Sequence, residues 1–297
     1  MSPHWQSILF ASGASFSFAT ASVVYARFSQ KISPLWMNST KALVCWLALA
    51  LTLLLTSTWI WPEQRSLYGL LGSGALGLAL GDLFLLGAFA RIGASRTLMV
   101  FGFQPLIMTI AGALLFGQPL HGAQGLGILF FMACLFFLSF ERYRDEGRWE
   151  WQGLVFALIG VLMDNAGILL TRWSFDLSPA LEATQANFLR ATGALMFFAL
   201  LSRLRPIGLI RHFRALNAQE RGTVLFASLA GTFLSLSLYL QALKVGHLAS
   251  LSAIVLTGPF YSGAIECWVR KKAPSRFLVA SFVCLLAGMS LVLFSPH

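Results

Sequence analysis

The chain has 297 residues, of which 57% are hydrophobic and only 11% charged. A soluble domain carries roughly a quarter charged residues, so this composition cannot build a water-facing surface and excludes a soluble globular fold. The formal net charge of +10 is scattered over short loops between apolar runs, which speaks for membrane topology and against a nucleic-acid-binding face.

A spanning helix needs about 20 mostly apolar residues. Proline, glycine and charge clusters divide the chain into ten such stretches. Five lie near 5–28, 34–58, 67–91, 93–116 and 120–140, and five near 151–172, 179–202, 220–243, 247–268 and 275–294. The first run is too long for a signal-peptide core and has no basic region ahead of it, so it is expected to be a retained helix. Between the two sets, Glu141, Arg142, Arg144, Asp145, Glu146, Arg148 and Glu150 make a segment too polar to span anything. The expected fold is therefore an all-α integral membrane protein of ten transmembrane helices. Residues 1–140 and 151–297 form two five-helix repeats, joined by a charged linker at 141–150.

Internal similarity carries the repeat. Arg27-Phe28-Ser29-Gln30-Lys31-Ile32-Ser33-Pro34 returns as Arg172-Trp173-Ser174-Phe175-Asp176-Leu177-Ser178-Pro179, each copy closing one apolar run and opening the next. Asn38-Ser39-Thr40-Lys41-Ala42 then matches Asn187-Phe188-Leu189-Arg190-Ala191, with about one helical turn inserted in the second copy. Gly93 and Pro105 match Gly246 and Pro259, and Pro119 matches Pro274. Five is odd, so the second copy must cross the membrane inverted, as in many secondary transporters. Most of the 21 Lys and Arg residues gather on one side, including Arg27, Lys31, Arg91, Arg203, Arg211 and Arg214. That side is expected to be cytoplasmic, with both termini outside.

Together these marks resemble the drug/metabolite transporter superfamily, in particular its ten-helix EamA-type members. The resemblance rests on paired inverted repeats, on Lys41 and Arg190 where the family has a basic residue in the second helix of each repeat, and on Pro105 and Pro259 in the small-residue fourth helices. The chain departs from the family at Gln118 and Lys272, where an acidic residue often precedes the last helix of a repeat. The resemblance implies a multi-pass transporter, expected in the bacterial inner membrane.

Ionisable residues within a membrane are costly, which makes each a functional candidate. Counting 1.5 Å per residue puts Asp82, Asp164 and Arg190 near the midplane. Lys41 is shallower and reads as a cation snorkelling to the interface, while Glu182 and Glu266 fall near helix ends. An acid, Asp82 or Asp164, could simply neutralise Arg190. Alternatively Arg190 takes a substrate carboxylate in a two-pronged contact, and an acid takes an ammonium or a coupling proton. Four acids against two bases disfavour a multiply anionic cargo. Asn165 and Gln185 stand close to the central charges, and Tyr25, Asn38, Gln104, Tyr239 and Tyr261 complete the candidate substrate or proton site. Pro105 and Pro259 are candidate hinges for alternating access, since each removes a helix hydrogen bond. Gly72-Ser73-Gly74-Ala75-Leu76-Gly77 fits a dinucleotide fingerprint only by chance, because no strand precedes it. With Gly81 it reads as close helix packing.

The expected function is a secondary exporter of a small zwitterionic or cationic metabolite such as an amino acid, coupled to protons. A lipid or lipid-linked flippase is the alternative. All five histidines lie at termini, loops or helix starts, so no Ser-His pair sits at depth and an intramembrane enzyme is not expected. The four cysteines, Cys45, Cys134, Cys267 and Cys284, lack metal-ligand spacing, so no cofactor or metal is implied. The expected partners are a small-molecule substrate, protons and membrane lipids. The chain is expected to act as a monomer without nucleic acid.

Overall fold

Where no water can satisfy the backbone, an apolar run must satisfy it internally, which favours helix throughout. A computed structural model of the chain describes residues 3–56, 59–104, 107, 122–146, 150–245, 257–271 and 273–293, and among these there is no strand. The helices are α1 (Pro3–Lys31), α2 (Pro34–Thr56), α3 (Gln64–Ile92), α4 (Ala94–Phe101), α5 (Gly122–Glu146), α6 (Trp151–Leu177), α7 (Ala183–Leu204) and α8 (Leu209–Ala215). They are followed by α9, which runs through Ala218–Ser228, Leu229–Leu234 and Ser235–Val245, then α10 (Thr257–Arg270) and α11 (Arg276–Leu293).

Five of these are long and apolar enough to cross a membrane: Leu9–Lys31, Pro34–Thr56, Gln64–Ile92, Trp151–Leu177 and Ala218–Ala242. The pair α7 and α8, bent by 92°, makes a sixth if counted as one span. The expected stretches near 93–116 and 247–268 lie partly outside the described residues. Two boundaries differ from the sequence reading. α5 continues to Glu146, into the segment read as a linker, and α8 occupies a stretch where no helix was expected.

Local chemistry explains the breaks. Ser33 Oγ accepts from Trp36 N at 3.1 Å, so Ser33-Pro34 is an N-cap followed by proline at the first helical position of α2. The repeated Ser178-Pro179 does not start α7. The inserted turn follows it, and Ser178 Oγ instead accepts from Glu63 N ahead of α3. Gly93 ends α3 with φ 82° and ψ 169°, a conformation open essentially to glycine alone. Gly208, at φ 65°, turns the chain from α7 into α8.

α1 lies along α9, and α6 along α3. The second helices, α2 and α7, pack on each other, while α5 and α11 pair at the edge. Small residues permit the closest approaches. A Cβ on Gly74 would overlap the Arg190 carbonyl, and one on Gly193 would overlap that of Leu71, so the α3 and α7 backbones touch. Gly77 meets Gly167 of α6 in the same way. This is the close packing expected of the glycine run. Outward faces are apolar too: Leu47, Leu51 and Leu54 on α2, Val155, Leu162 and Leu169 on α6, and Val279, Val283 and Leu286 on α11 are exposed at helical spacing. A surface greasy outside as well as inside faces hydrocarbon rather than water.

α3 and α9 each contain a π-helical stretch, Gly74–Gly81 and Leu229–Leu234. A widened turn redirects carbonyls that an α-helix would use internally. In α3 the Asn38 amide supplies donors, with Nδ2 donating to Leu78 O at 3.3 Å and Ala79 O at 2.9 Å. In the second half Asn187 Nδ2 donates to Leu236 O at 3.0 Å, just beyond the widened turns of α9.

Candidate functional site

Where α1, α2, α3, α4, α6, α7, α9 and α10 converge, they line a cavity of about 140 Å³. Its apolar wall includes Ala11, Ala14 and Phe18 of α1, Leu85 of α3, Leu98 and Phe101 of α4, and Ile168 of α6. Its polar wall carries Lys41, Asp82, Asp164, Arg190, Gln104, Thr232, Ser235 and Tyr239.

Each charged group arrives from a different helix. Lys41 of α2 is 2% exposed, and its Nζ donates to Asp82 Oδ2 of α3 at 2.5 Å. That ammonium also stands 5.3 Å from the centre of the Tyr25 ring, a cation–π contact within the usual range. Lys41 therefore does not snorkel. Asp82 meets it across the bundle from the end of the π stretch, and the pair is satisfied internally. It follows that Asp82 is not the neutralising partner of Arg190.

Arg190 of α7 is 1% exposed. Its Nε donates to Ser73 Oγ at 3.0 Å, and Ser73 is tied to Thr171 Oγ1 at 2.7 Å and to Gly167 O at 2.6 Å. The network fixes the guanidinium on neutral oxygens. Asp164 Oδ1 and Arg190 Nη2 both lie over Gly77, 3.6 and 3.7 Å from where a Cβ would stand. Among the described residues, the two groups form no ion pair, and Arg190 Nη1 has no hydrogen-bond partner. A buried guanidinium with an unused donor, beside a carboxylate it does not clasp, can receive a planar acid on one side and leave the carboxylate for a cation.

The other sequence candidates divide. Gln104 and Tyr239 line the cavity, with the Gln104 amide in hydrogen-bonding reach of the Tyr239 hydroxyl. Pro259 of α10 lines it as well, beside Gly258. Tyr25 is buried behind Lys41, where its hydroxyl donates to Ala227 O at 2.8 Å and shares a hydrogen bond with Thr232 Oγ1 at 2.7 Å, tying α1 to α9. Asn38 serves the α3 carbonyls. Gln185 clamps the loop before α3 through both the N–H and the carbonyl of Ile60, away from the cavity. Tyr261 stacks edge-on against the exposed Phe16 ring at 5.3 Å and does not line the cavity. Asn165 is buried beside Asp164 with neither amide atom partnered among the described residues, and it too lies off the lining. Pro105 falls outside the described residues.

The charge count changes. Glu182 is exposed at the start of α7. Among the described residues that line the cavity, two acids, Asp82 and Asp164, face two bases, Lys41 and Arg190. Sequence reasoning missed Thr232 and Ser235, because neutral hydroxyls are common in spanning helices, and it saw Lys41 but not its partner, because pairing depends on a distant element.

Comparison with known proteins places this geometry. Residues 5–140 match the EamA-like transporter family. No curated protein matches the chain. A solved structure described only as a crystal structure of a protein is 17% identical, with a TM-score of 0.65, over 97% of this chain and 96% of its own. At that identity the likeness speaks to the fold, which is shared along essentially the whole chain. The matched family transports small molecules across membranes and is not enzymatic. The chain is an integral membrane protein whose residues 5–140 match the EamA-like transporter family, a family within the drug/metabolite transporter superfamily.

Proposed function

We propose that this chain is a secondary active transporter that exports a small zwitterionic metabolite, such as an amino acid, in exchange for protons. It works by alternating access of the central cavity between two inverted five-helix repeats, residues 1–140 and 151–297. The basic end is cytoplasmic. Support for the repeats comes from reciprocal packing of first on third helices, from the π stretches in both third helices, and from Lys41 and Arg190, three residues beyond the paired Asn38 and Asn187.

The observation that carries the reading is the unclasped pair formed by Arg190, with its unpartnered Nη1, and Asp164. A substrate carboxylate on Arg190 and its ammonium on Asp164 would satisfy both groups at once. Lys41 and Asp82 are already mutually neutralised, so the four charges balance, which favours a zwitterion over an organic cation. A proton arriving at Asp164 would displace the ammonium, and that competition exchanges proton for substrate. The size of the cavity agrees with a small cargo: about 140 Å³ is close to the ~150 Å³ of an engineered cavity that holds benzene.

The test compares amino acids with their decarboxylated amines as thermal-shift ligands. In Arg190→Lys the charge remains but the two-pronged contact is lost, so affinity should fall about tenfold for the acids and little for the amines. Equal loss for both ligand sets would remove Arg190 from the binding site. Stabilisation by lipids alone would favour the flippase.

A further inference from the structure

The connection from α7 to α9 is more than a loop. Pro206 and Gly208 turn the chain, and α8 leaves α7 at 92°. With the 22-residue α7 taken as the crossing member of the bent pair, the 92° turn sets the short α8 along the surface. Leu209 and Phe213 pack inward beside the buried Leu216, at the i, i+4, i+7 spacing of one helix face. The backbone is held there from both sides. Trp36 Nε1 donates to Leu209 O at 3.2 Å, and Arg221 donates to Arg214 O at 2.6 Å and Leu216 O at 2.9 Å.

What remains outward is strongly basic. Arg203, Arg205, Arg211 and Arg214 are exposed, and no Asp or Glu lies between Glu182 and Glu220. Glu220 does not neutralise the group, because Lys31 Nζ holds its carboxylate at 2.5 Å and Arg27 approaches to 4.0 Å. Among these cations two apolar side chains also stand clear, Leu204 at 82% and Ile210 at 68% exposure. Cations interleaved with aliphatic side chains, Arg203, Leu204 and Arg205 at the end of α7 and Ile210, Arg211 and Arg214 on α8, match the boundary between phosphate headgroups and acyl chains.

We infer that the outer face of α8 and its flanking turns is a binding site for anionic phospholipids of the adjoining leaflet. The four arginines take the headgroup phosphates, and Leu204 and Ile210 enter the acyl boundary. Because α8 is anchored on α2 and on the start of α9, bound lipid would brace the end of the bundle where Lys31 and Glu220 join α1 to α9.

The full chain is placed in nanodiscs of phosphatidylcholine, alone or mixed with phosphatidylglycerol, and read by thermal unfolding and by native mass spectrometry of retained lipid. The wild type should keep phosphatidylglycerol and unfold at higher temperature in its presence. The gain should shrink at 1 M salt, where the screening length falls to about 3 Å. The fourfold change Arg203→Gln, Arg205→Gln, Arg211→Gln and Arg214→Gln should unfold like wild type in phosphatidylcholine yet lose at least about tenfold of its phosphatidylglycerol preference. If that variant fails to fold, Arg211→Gln with Arg214→Gln, both on the exposed face of α8, should lose part of the preference. Undiminished preference in whichever variant folds overturns the site. Equal stabilisation of the wild type by inorganic phosphate or glycerol phosphate also overturns it, since a free anion would then suffice.

Discussion

Lys41 and Asp82 set the energetics at the residue scale. Removing one member of a buried ion pair leaves the other uncompensated, at a cost of about 3–5 kcal/mol, whereas replacing both with apolar groups of similar volume is often neutral or better. Lys41→Met should therefore lower the thermal midpoint in detergent sharply, and adding Asp82→Leu should recover most of the loss. If the double variant is no more stable than Lys41→Met, the pair is not the element that holds Lys41 in place. Counting along helices was enough to find the depth of Asp82, Asp164 and Arg190. It could not pair them, because Lys41 and Asp82 meet only through the packing of α2 on α3. The same limit applies to Gln185: sequence placed it near the charges, but its side chain leaves the bundle centre for the backbone of Ile60.

Among the elements, the backbone contact between α3 and α7 is the most demanding. A side chain at position 74 has no room beside the Arg190 carbonyl. Gly74→Val should accordingly give little folded protein, while Gly222→Ala in α9, where nothing lies within 4 Å, should be neutral or stabilise by up to about 1 kcal/mol. Size-exclusion recovery and thermal midpoint would check both, and a well-folded Gly74→Val would show that α3 can separate from α7 freely. The glycine run was readable as a packing surface from its spacing alone. The π stretches were not, since Gly74–Gly81 is apolar on every side and carries no periodicity to reveal a widened turn. Nor was α8, because Pro206 and Gly208 signal a break but a seven-residue helix is too short to show in hydropathy.

At the scale of the molecule, the reciprocal packing of α1 on α9 and α6 on α3 leaves the cavity walled by both halves, so a rocking motion of one half against the other would change its exposure without dismantling either. The repeated Arg27 and Arg172 segments carry the proposal of a duplication, and the composition made the membrane visible. The cargo was not visible, because recognition depends on which polar side chains turn inward. The most direct measurement is uptake of a labelled amino-acid mixture into proteoliposomes under an imposed pH gradient. The wild type should accumulate label in the lumen in a gradient-dependent way, and Asp164→Asn, which also loses the charge that takes the ammonium, should exchange label more weakly and without pH dependence. No lumenal accumulation above protein-free vesicles, or an unchanged pH response in Asp164→Asn, would contradict proton-coupled transport through this cavity.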